Sequence, residues 1–278
     1  MANTFNTLPD IMVDRVITTP RGSAIEVLES FTLDIDNAAI DPKRQTQVTV
    51  VTGASTPLVN ATNFEQGDST KIKVDVPLDQ ITQPFHIDNA DLQQGHRIEE
   101  IIDKNWQAFN NKLSDQVCQY IDKTVFTSNT PVVVAGDADM DASDIIEAIK
   151  LLPGVSMRNA VLDWAYFVNL TPTNRDQFTN ADGYLGLDKL RAGRVGAASP
   201  DDEIGIVCDP QAIAVAARVP YPAGGHVETR TLTSAELGIP VQMNSWVNAT
   251  GRVTWMSFDC CIGAAVADET SGVVFANS

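Results

Sequence analysis

The hydrophobic residues between positions 98 and 125 recur every three or four residues. They are Ile98, Ile101, Ile102, Trp106, Phe109, Leu113, Val117, Ile121 and Val125. This spacing places them on one face of a helix. The pattern predicts a helix over residues 96–124, roughly 40 Å long at about 1.5 Å per residue. We expect its apolar face to pack on a core through Ile98, Ile102, Trp106, Phe109 and Leu113.

The pattern before this helix is typical of a β-hairpin that follows an arm. Residues 71–78 alternate apolar and polar side chains, and residues 46–51 are of types that favour strands. The connection over 52–70 contains Gly, Pro, Asn and Asp, and an unstructured connection of this length is usually functional. The first forty residues hold two short apolar patches separated by a breaker cluster, which indicates an arm.

The pattern after the helix mixes short strands with short helices. Strands are predicted at 131–135, 160–162 and 203–207, and helices at 141–152, 164–170 and 210–217. The segment 242–274 is dominated by strand-like runs. The predicted fold class is therefore α+β.

Composition and charge narrow the class of protein. The 278 residues are 44% hydrophobic and 20% charged, as in globular proteins. Acidic side chains outnumber basic ones by 36 to 19, and the resulting net charge of -17 argues against tight wrapping of nucleic acid. There is no apolar run of about 20 residues and no signal-peptide pattern at the start, so we expect a cytoplasmic product without a membrane partner. The 4 cysteines lack CxxC spacing and are expected to be reduced and buried.

One acidic segment has the spacing of a calcium loop. Asp137, Asp139 and Asp141 match the first three ligand positions of an EF-hand. The sixth position of that loop should be Gly and is Ala142, and the twelfth should be Glu and is Ala148. We therefore interpret Asp141 as the N-cap of the following helix, and we predict no metal.

Other patterns of catalytic chemistry are weak. His86 and His96 lie near aspartates at a spacing that matches no metal motif. The glycines form no nucleotide-binding motif, and no Gly-x-Ser-x-Gly elbow occurs, so we predict neither enzymatic activity nor a cofactor. A remote alternative is a metal-dependent hydrolase that uses the acidic residues of 137–144 with one of these histidines. The four tryptophans lie in apolar contexts and are predicted to be core residues: Trp106, Trp164, Trp246 and Trp255.

The order of these parts resembles the HK97-type major capsid fold of tailed bacteriophages. Residues 63–77 are similar to the G-D-T-V-x-V-x-x-P strand in the extended loop of P22-like coat proteins, although Ser69 interrupts the pattern. Residues 159–166 are similar to a strand-to-helix passage in the axial domain of such coats. Residues 237–263 resemble the segment that closes their peripheral domain.

The resemblance implies a division of the chain into five parts. These are an N-terminal arm at 1–36, an extended hairpin loop at 37–85, a peripheral domain with the spine helix at 86–135, an axial domain at 136–240, and return strands of the peripheral domain at 241–278. Within the extended loop, the resemblance assigns an assembly role to Phe64, Gly67, Asp68, Lys71 and Lys73.

The resemblance also implies a function and a set of partners. The expected protein is a major capsid protein, made in the host cytoplasm and located in the virion. It self-assembles into hexamers and pentamers of an icosahedral shell around double-stranded DNA, which it contacts only weakly. Because the arm is too short to contain a scaffold, a separate scaffolding protein is expected, together with a portal and room for a decoration protein. The nearest alternative is the shell of an encapsulin-type nanocompartment.

Overall fold

A computed structural model describes most of the chain between residues 24 and 277. The described residues are 24–41, 44–53, 69–88, 96–136, 140–152, 157–170, 183–198, 202–222, 224, 227–233, 238–248 and 253–277. Within them the chain forms two large sheets, a separate hairpin and several helices. No helix in these ranges is long and apolar enough to cross a bilayer.

The helices and strands occur along the chain in the following order. The first part of the chain contains a 3-10 helix at Ala24–Ser30, β1 (Thr32–Ile40), β2 (Gln45–Gly53), β3 (Thr70–Pro77), β4 (Asp79–Asp88), α1 (His96–Cys118) and β5 (Val132–Val134). The second part contains α2 (Ala142–Leu151), β6 (Asn159–Asp163), α3 (Trp164–Leu170), β7 (Lys189–Gly193), α4 (Val195–Ala198), β8 (Glu203–Cys208), β9 (Ile213–Pro220), β10 (Glu228–Thr233), β11 (Pro240–Asn248), β12 (Val253–Val266) and β13 (Gly272–Asn277).

Strand β12 organises the larger sheet. It pairs antiparallel with β4 along residues 253–262, with β11 along 253–259 and with β9 along 261–266. Because β4 overlaps both of the other strands, β11 and β9 must share the opposite edge of β12. The sheet continues to β1, which pairs parallel with β9, and to β10, which pairs antiparallel with β11.

Helix α1 packs on one face of this sheet, as its apolar pattern predicts. Phe109 and Leu113 have no exposed surface, and Trp106 is almost completely buried. The rings of Trp106 and Phe109 lie 5.1 and 5.9 Å from the ring of Phe258 on β12. The helix and the sheet therefore share one continuous hydrophobic core.

Part of the expected N-terminal arm belongs to this core. Val27 and Leu28 in the 3-10 helix are fully buried, and Phe31 packs beside them. The side-chain amide of Asn159 donates a hydrogen bond of 2.9 Å to the carbonyl of Ser30. Residues 24–36 are thus integrated into the folded body, and the remainder of the expected arm lies outside the described residues.

The smaller sheet has its own core. Its strand order is β5-β13-β8-β6-β7, and α2 and α3 pack against it. Leu162, Phe167 and Phe275 are among its fully buried side chains. Gly205 of β8 allows close packing there, because a Cβ atom at that position would lie 2.5 Å from the carbonyl oxygen of Val161. Three of its five strands, β6, β7 and β8, come from the range 136–240 that the sequence assigns to an axial domain, whereas β9 and β10 of that range belong to the main sheet.

Strands β2 and β3 form the predicted hairpin. They pair antiparallel from Gln45 opposite Pro77 to Gly53 opposite Thr70. The inward side chains include Val48, which packs with residues of β9 and β12 in a third, smaller core. The two strand predictions are therefore confirmed, and the connection over 54–68 lies outside the described residues.

The helix predicted at 210–217 is wrong. A short 3-10 turn at Pro210–Ala212 leads directly into strand β9. The alternate side chains of β9 belong to different cores, since Val215 lies in the main core and Ala214 lies under the hairpin. A strand that is buried on both faces has a continuous apolar sequence, and here its many alanines imitate a helix.

Helix α1 ends earlier than its hydrophobic pattern predicts. Its last residue is Cys118 and not Thr124, so its 23 residues span about 34 Å. The N–H of Ile121 donates to the carbonyl of Cys118 at 2.9 Å, a three-residue bond that tightens the end of the helix. The carboxylate of Asp122 then accepts the N–H of Thr124 at 2.6 Å and stabilises a turn.

Candidate functional site

The outer face of the β2–β3 hairpin is open to solvent. Lys71 and Lys73 are exposed on β3, and the pairing register places Val51 of β2 opposite Lys71. Val51 itself is 54% exposed. Gln47 donates a hydrogen bond of 3.3 Å to Asp75 across the two strands. The hairpin therefore presents a face with two lysines and an uncovered apolar side chain.

The base of the hairpin is fixed to the main sheet. Val76 and Leu78 are fully buried, and the N–H of Leu78 donates to the carbonyl of Arg44 at 3.0 Å. Nearer the tip, Ile72 and Val74 are only half-buried. Along β3, burial therefore decreases from the base of the hairpin towards the tip, whereas Val50 of β2, opposite Ile72, is still only 1% exposed.

The assembly residues suggested by the sequence fall into two groups. Lys71 and Lys73 lie on the exposed face of the hairpin. Phe64, Gly67 and Asp68 lie outside the described residues. The structure therefore brings the two lysines together on one face of one strand.

The spine residues lie on the inner face of α1. Their exposure ranges from zero to 7% for Ile98, Ile102, Trp106, Phe109 and Leu113. These side chains contact the sheet, so they are not available to another subunit. They hold α1 against the sheet.

The tryptophan predictions are only partly correct. Trp106 is a core residue, but Trp164 is 47% exposed on α3. The short helix α3 directs Phe167 and Leu170 into the smaller core and leaves Trp164 outside. Trp246 and Trp255 stack with 6.3 Å between their centroids on the face of the main sheet opposite α1, where both are half-buried.

Asp141 caps α2, as the sequence predicts. Its carboxylate accepts the N–H of Ser143 at 2.7 Å, and its own N–H donates to Asp144 at 2.9 Å, which completes a capping box. Hydrogen bonds from the hydroxyl and the N–H of Ser143 hold the pKa of Asp141 below its ordinary value. Asp137 and Asp139 lie outside the described residues.

The titratable groups that the structure describes form no metal centre. No three His, Cys, Asp or Glu side chains within the described ranges are grouped to hold a metal ion. The ring of His86 instead lies 5.0 Å from that of Trp255. All four cysteines are free and buried, and burial raises the pKa of Cys118 to about 12 and that of Cys261 to about 11. Such thiols are poor nucleophiles, because the thiolate is the reactive form.

Solved structures match nearly the whole chain, whereas no family model and no curated protein matches the sequence. A structure from Mycobacterium phage Cain is 15% identical, with 93% of this chain and 91% of that chain covered and a TM-score of 0.52. One from Mycobacterium phage Adephagia is 14% identical with the same coverage and a TM-score of 0.51. The crystal structure of a virus-like particle from Pyrococcus furiosus is 11% identical, with 99% and 100% covered and a TM-score of 0.52.

These similarities identify the architecture. The matched structures are HK97-like capsid folds, and the match extends over the hairpin, the long helix and both sheets of this chain. The similarity to P22-like coats in particular stays a prediction from the sequence. At the level of architecture the predicted fold class is confirmed: the chain has the HK97-like capsid fold.

Proposed function

We propose that this chain is the major capsid protein of a tailed bacteriophage. In this role it self-assembles into hexamers and pentamers of an icosahedral shell that encloses double-stranded DNA. The observation that carries the proposal is the similarity to two mycobacteriophage structures over 93% of the chain. The function is structural, and the chain is not an enzyme.

The distribution of buried and exposed surface supports this role. A shell subunit needs a rigid body, which the packing of α1 on the main sheet supplies. It also needs surfaces that are left for its neighbours, and the outer face of the hairpin is such a surface because Lys71, Lys73 and Val51 are exposed there. Closed assemblies of identical subunits repeat such contacts by symmetry.

The proposed role also implies partners, and the net charge of the chain bears on one of them, the packaged DNA. The net charge of -17 disfavours strong binding of the packaged DNA. A separate scaffolding protein and a portal are proposed as assembly partners, and a decoration protein as a further partner on the finished shell. The site of synthesis is the host cytoplasm, and the final location is the virion.

Electron microscopy and sedimentation of the purified chain test the proposal. We expect capsomers or closed shells, either from the chain alone or with the proteins encoded beside it. Their interfaces should total well above about 2,000 Å² per subunit, as in obligate assemblies. A chain that stays monomeric at high concentration, in every salt and with the scaffolding protein present, would contradict the proposal.

A charge-reversal variant tests the role of the hairpin face. We expect the double change Lys71→Glu and Lys73→Glu to suppress shell formation at an unchanged melting temperature, because both side chains are exposed in the subunit. The matched control reverses Lys104 and Lys112, which are exposed on α1. If both double variants form shells as well as the parent does, the hairpin lysines do not lie in the interface between subunits.

A second candidate function is the shell of an encapsulin-type nanocompartment. The match to the virus-like particle from Pyrococcus furiosus favours it, because that match covers 99% of this chain and 100% of the other. The contents of particles purified from the native source distinguish the two functions. Nuclease-protected DNA supports the phage capsid, whereas a protein cargo without DNA supports the nanocompartment.

A further inference from the structure

A pocket opens on the face of the main sheet that α1 does not cover. Its volume is about 360 Å³. Polar side chains from β4, β11 and β12 form its floor, and Trp246 and Tyr221 stand at its side. Tyr221 is 56% exposed, so it forms part of the rim. The β2–β3 hairpin covers the neighbouring part of the same face, at Cys261, but the pocket itself stays open.

The floor of the pocket holds a buried carboxylate. Asp259 is only 3% exposed. Among the described residues, its hydrogen-bond donors are the amides of Asn244, at 2.7 Å, and Gln80, at 3.4 Å, together with the hydroxyls of Thr82 and Ser257. All four donors are neutral. The carboxylate is therefore hydrogen-bonded but has no opposite charge beside it in the described part of the chain.

Two other deeply buried charged side chains each have an oppositely charged partner. Arg218 is 8% exposed and lies 2.7 Å from the carboxylate of Asp34. Arg191 is 4% exposed and lies 2.9 Å from that of Glu29. A buried charge normally has such a partner, because removal from water disfavours an isolated ion. Asp259 has no such partner among the described residues, and it faces an open pocket.

The walls of the pocket restrict the kind of cation that fits. A metal ion prefers several charged ligands, and no group of three exists within the described residues. The ring of Trp246 is held by stacking on Trp255, with 9° between the two planes. Trp246 and Tyr221 line the same pocket as the carboxylate of Asp259. This combination suits a flat cation on an aliphatic stem, since a guanidinium stacks on aromatic rings and pairs with carboxylates.

We propose that this pocket binds the arginine side chain of a basic segment of a partner protein. The guanidinium pairs with Asp259, while the hydroxyls of Thr82 and Ser257 rotate from donating to the carboxylate to accepting from the cation, because a hydroxyl can do both. The net charge of -17 favours the approach of such a segment. The proposal does not depend on shell formation, because a single chain contains the whole pocket.

The proposal is tested by titrating the full chain with the peptide acetyl-Gly-Arg-Gly-amide. Binding is followed by the change in tryptophan fluorescence. The control peptide carries citrulline, which has nearly the same shape as arginine but no charge. We expect saturable binding of the arginine peptide and binding at least about tenfold weaker for citrulline, as charge-assisted hydrogen bonds are much the stronger kind. Equal binding of both peptides, or no saturation by the arginine peptide, would overturn the proposal.

Variants locate the binding site. Asp259→Asn keeps the size of the side chain but removes its charge and replaces one accepting oxygen with an NH2 donor, so some of the four donors must reorient. We expect it to weaken binding of the arginine peptide by about tenfold or more. The matched control is Asp75→Asn, which removes an exposed carboxylate from the hairpin and should leave binding unchanged. If Asp259→Asn does not fold, Trp246→Ala keeps the carboxylate and should weaken binding severalfold. Unchanged affinity in a folded Asp259→Asn or Trp246→Ala variant would exclude this pocket as the binding site.

Discussion

Gly263 of β12 and Pro77 of β3 approach so closely that no side chain fits between them. A Cβ atom at residue 263 would lie 1.8 Å from the carbonyl oxygen of Pro77 and 3.3 Å from the Cα atom of Leu78. The obstacle is backbone and cannot rotate away. The hairpin is therefore fixed to the main sheet by direct contact between the backbones of two strands.

The variant Gly263→Ala should separate the hairpin from the sheet. We expect a loss of about 1–3 kcal/mol in the free energy of unfolding, typical of overpacking in a dense core. Urea denaturation measures the change. Gly224→Ala is the control, because a Cβ atom at residue 224 would have no neighbour within 4 Å. Equal stability of the two variants would mean that the hairpin does not pack against β12 at this point.

The variant Ile102→Asp should prevent folding. Ile102 lies on the inner face of α1 and is fully buried. A carboxylate at this position would lose its hydration, and the packing of the isoleucine side chain would be lost as well. The cost is at least several kcal/mol, comparable with the stability of a whole domain. Gln107→Asp adds the same charge on the exposed face of the helix and should fold normally. Thermal unfolding of the soluble fraction of each variant, followed by circular dichroism, tests this prediction. A cooperative unfolding transition in Ile102→Asp would contradict the assignment of Ile102 to the core.

Asp209 should make stability depend on pH. Burial first, and then the nearby charge of Asp268, raise the pKa of Asp209 above its ordinary value of 3.8. The folded state therefore holds the proton of Asp209 more tightly than the unfolded state does. The resulting stabilisation is complete below the ordinary pKa and is lost as the pH rises through the raised pKa.

The variant Asp209→Asn tests this dependence. Asparagine keeps the side-chain oxygen that accepts the N–H of Gln211, but it has no charge to repel Asp268. We expect a higher melting temperature than the parent at pH 7 and a difference that disappears below about pH 4. A melting-temperature difference that is constant from pH 3 to pH 7 would show that the charge of Asp209 is not the cause.

The connection between β2 and β3 should serve assembly and not folding. Replacement of residues 54–68 by an Asn-Gly turn preserves the register of the two strands, since this dipeptide suits a two-residue hairpin turn. We expect the subunit to melt within a few degrees of the parent and to form no closed shells in electron micrographs. Shells of normal size from this variant would show that the connection is dispensable.

The sequence predicts elements well where one face is buried and the other is wet. The apolar stripe of α1 and the alternation in β3 have this form, and both elements are present. The prediction fails for β9, since its side chains are buried on both faces and leave no period to detect. The sequence does not predict β4, although β4 pairs with ten residues of β12, because Gln83 interrupts its inward apolar positions and Pro84 disfavours a strand.

The pocket on the main sheet could not be predicted from the sequence. Asp259 and Thr82 are 177 residues apart and meet only because β4 and β12 are neighbours. No local motif marks this meeting of side chains from three strands. A weak signal exists in β12, where Ser257 and Asp259 interrupt an otherwise apolar strand at a spacing of two. Such alternation shows that one face of the strand is polar, but it does not reveal the partners.

The position of β12 as the common neighbour of β4, β9 and β11 also bears on synthesis. A ribosome makes β4 long before it reaches residues 253–266, so β4 must wait for a partner that is more than 160 residues away. Contacts between such distant segments form slowly. The hairpin also lacks its supporting surface during this interval. A nascent chain is therefore expected to complete its main sheet, and the surface that supports the hairpin, only after β12 has emerged from the exit tunnel.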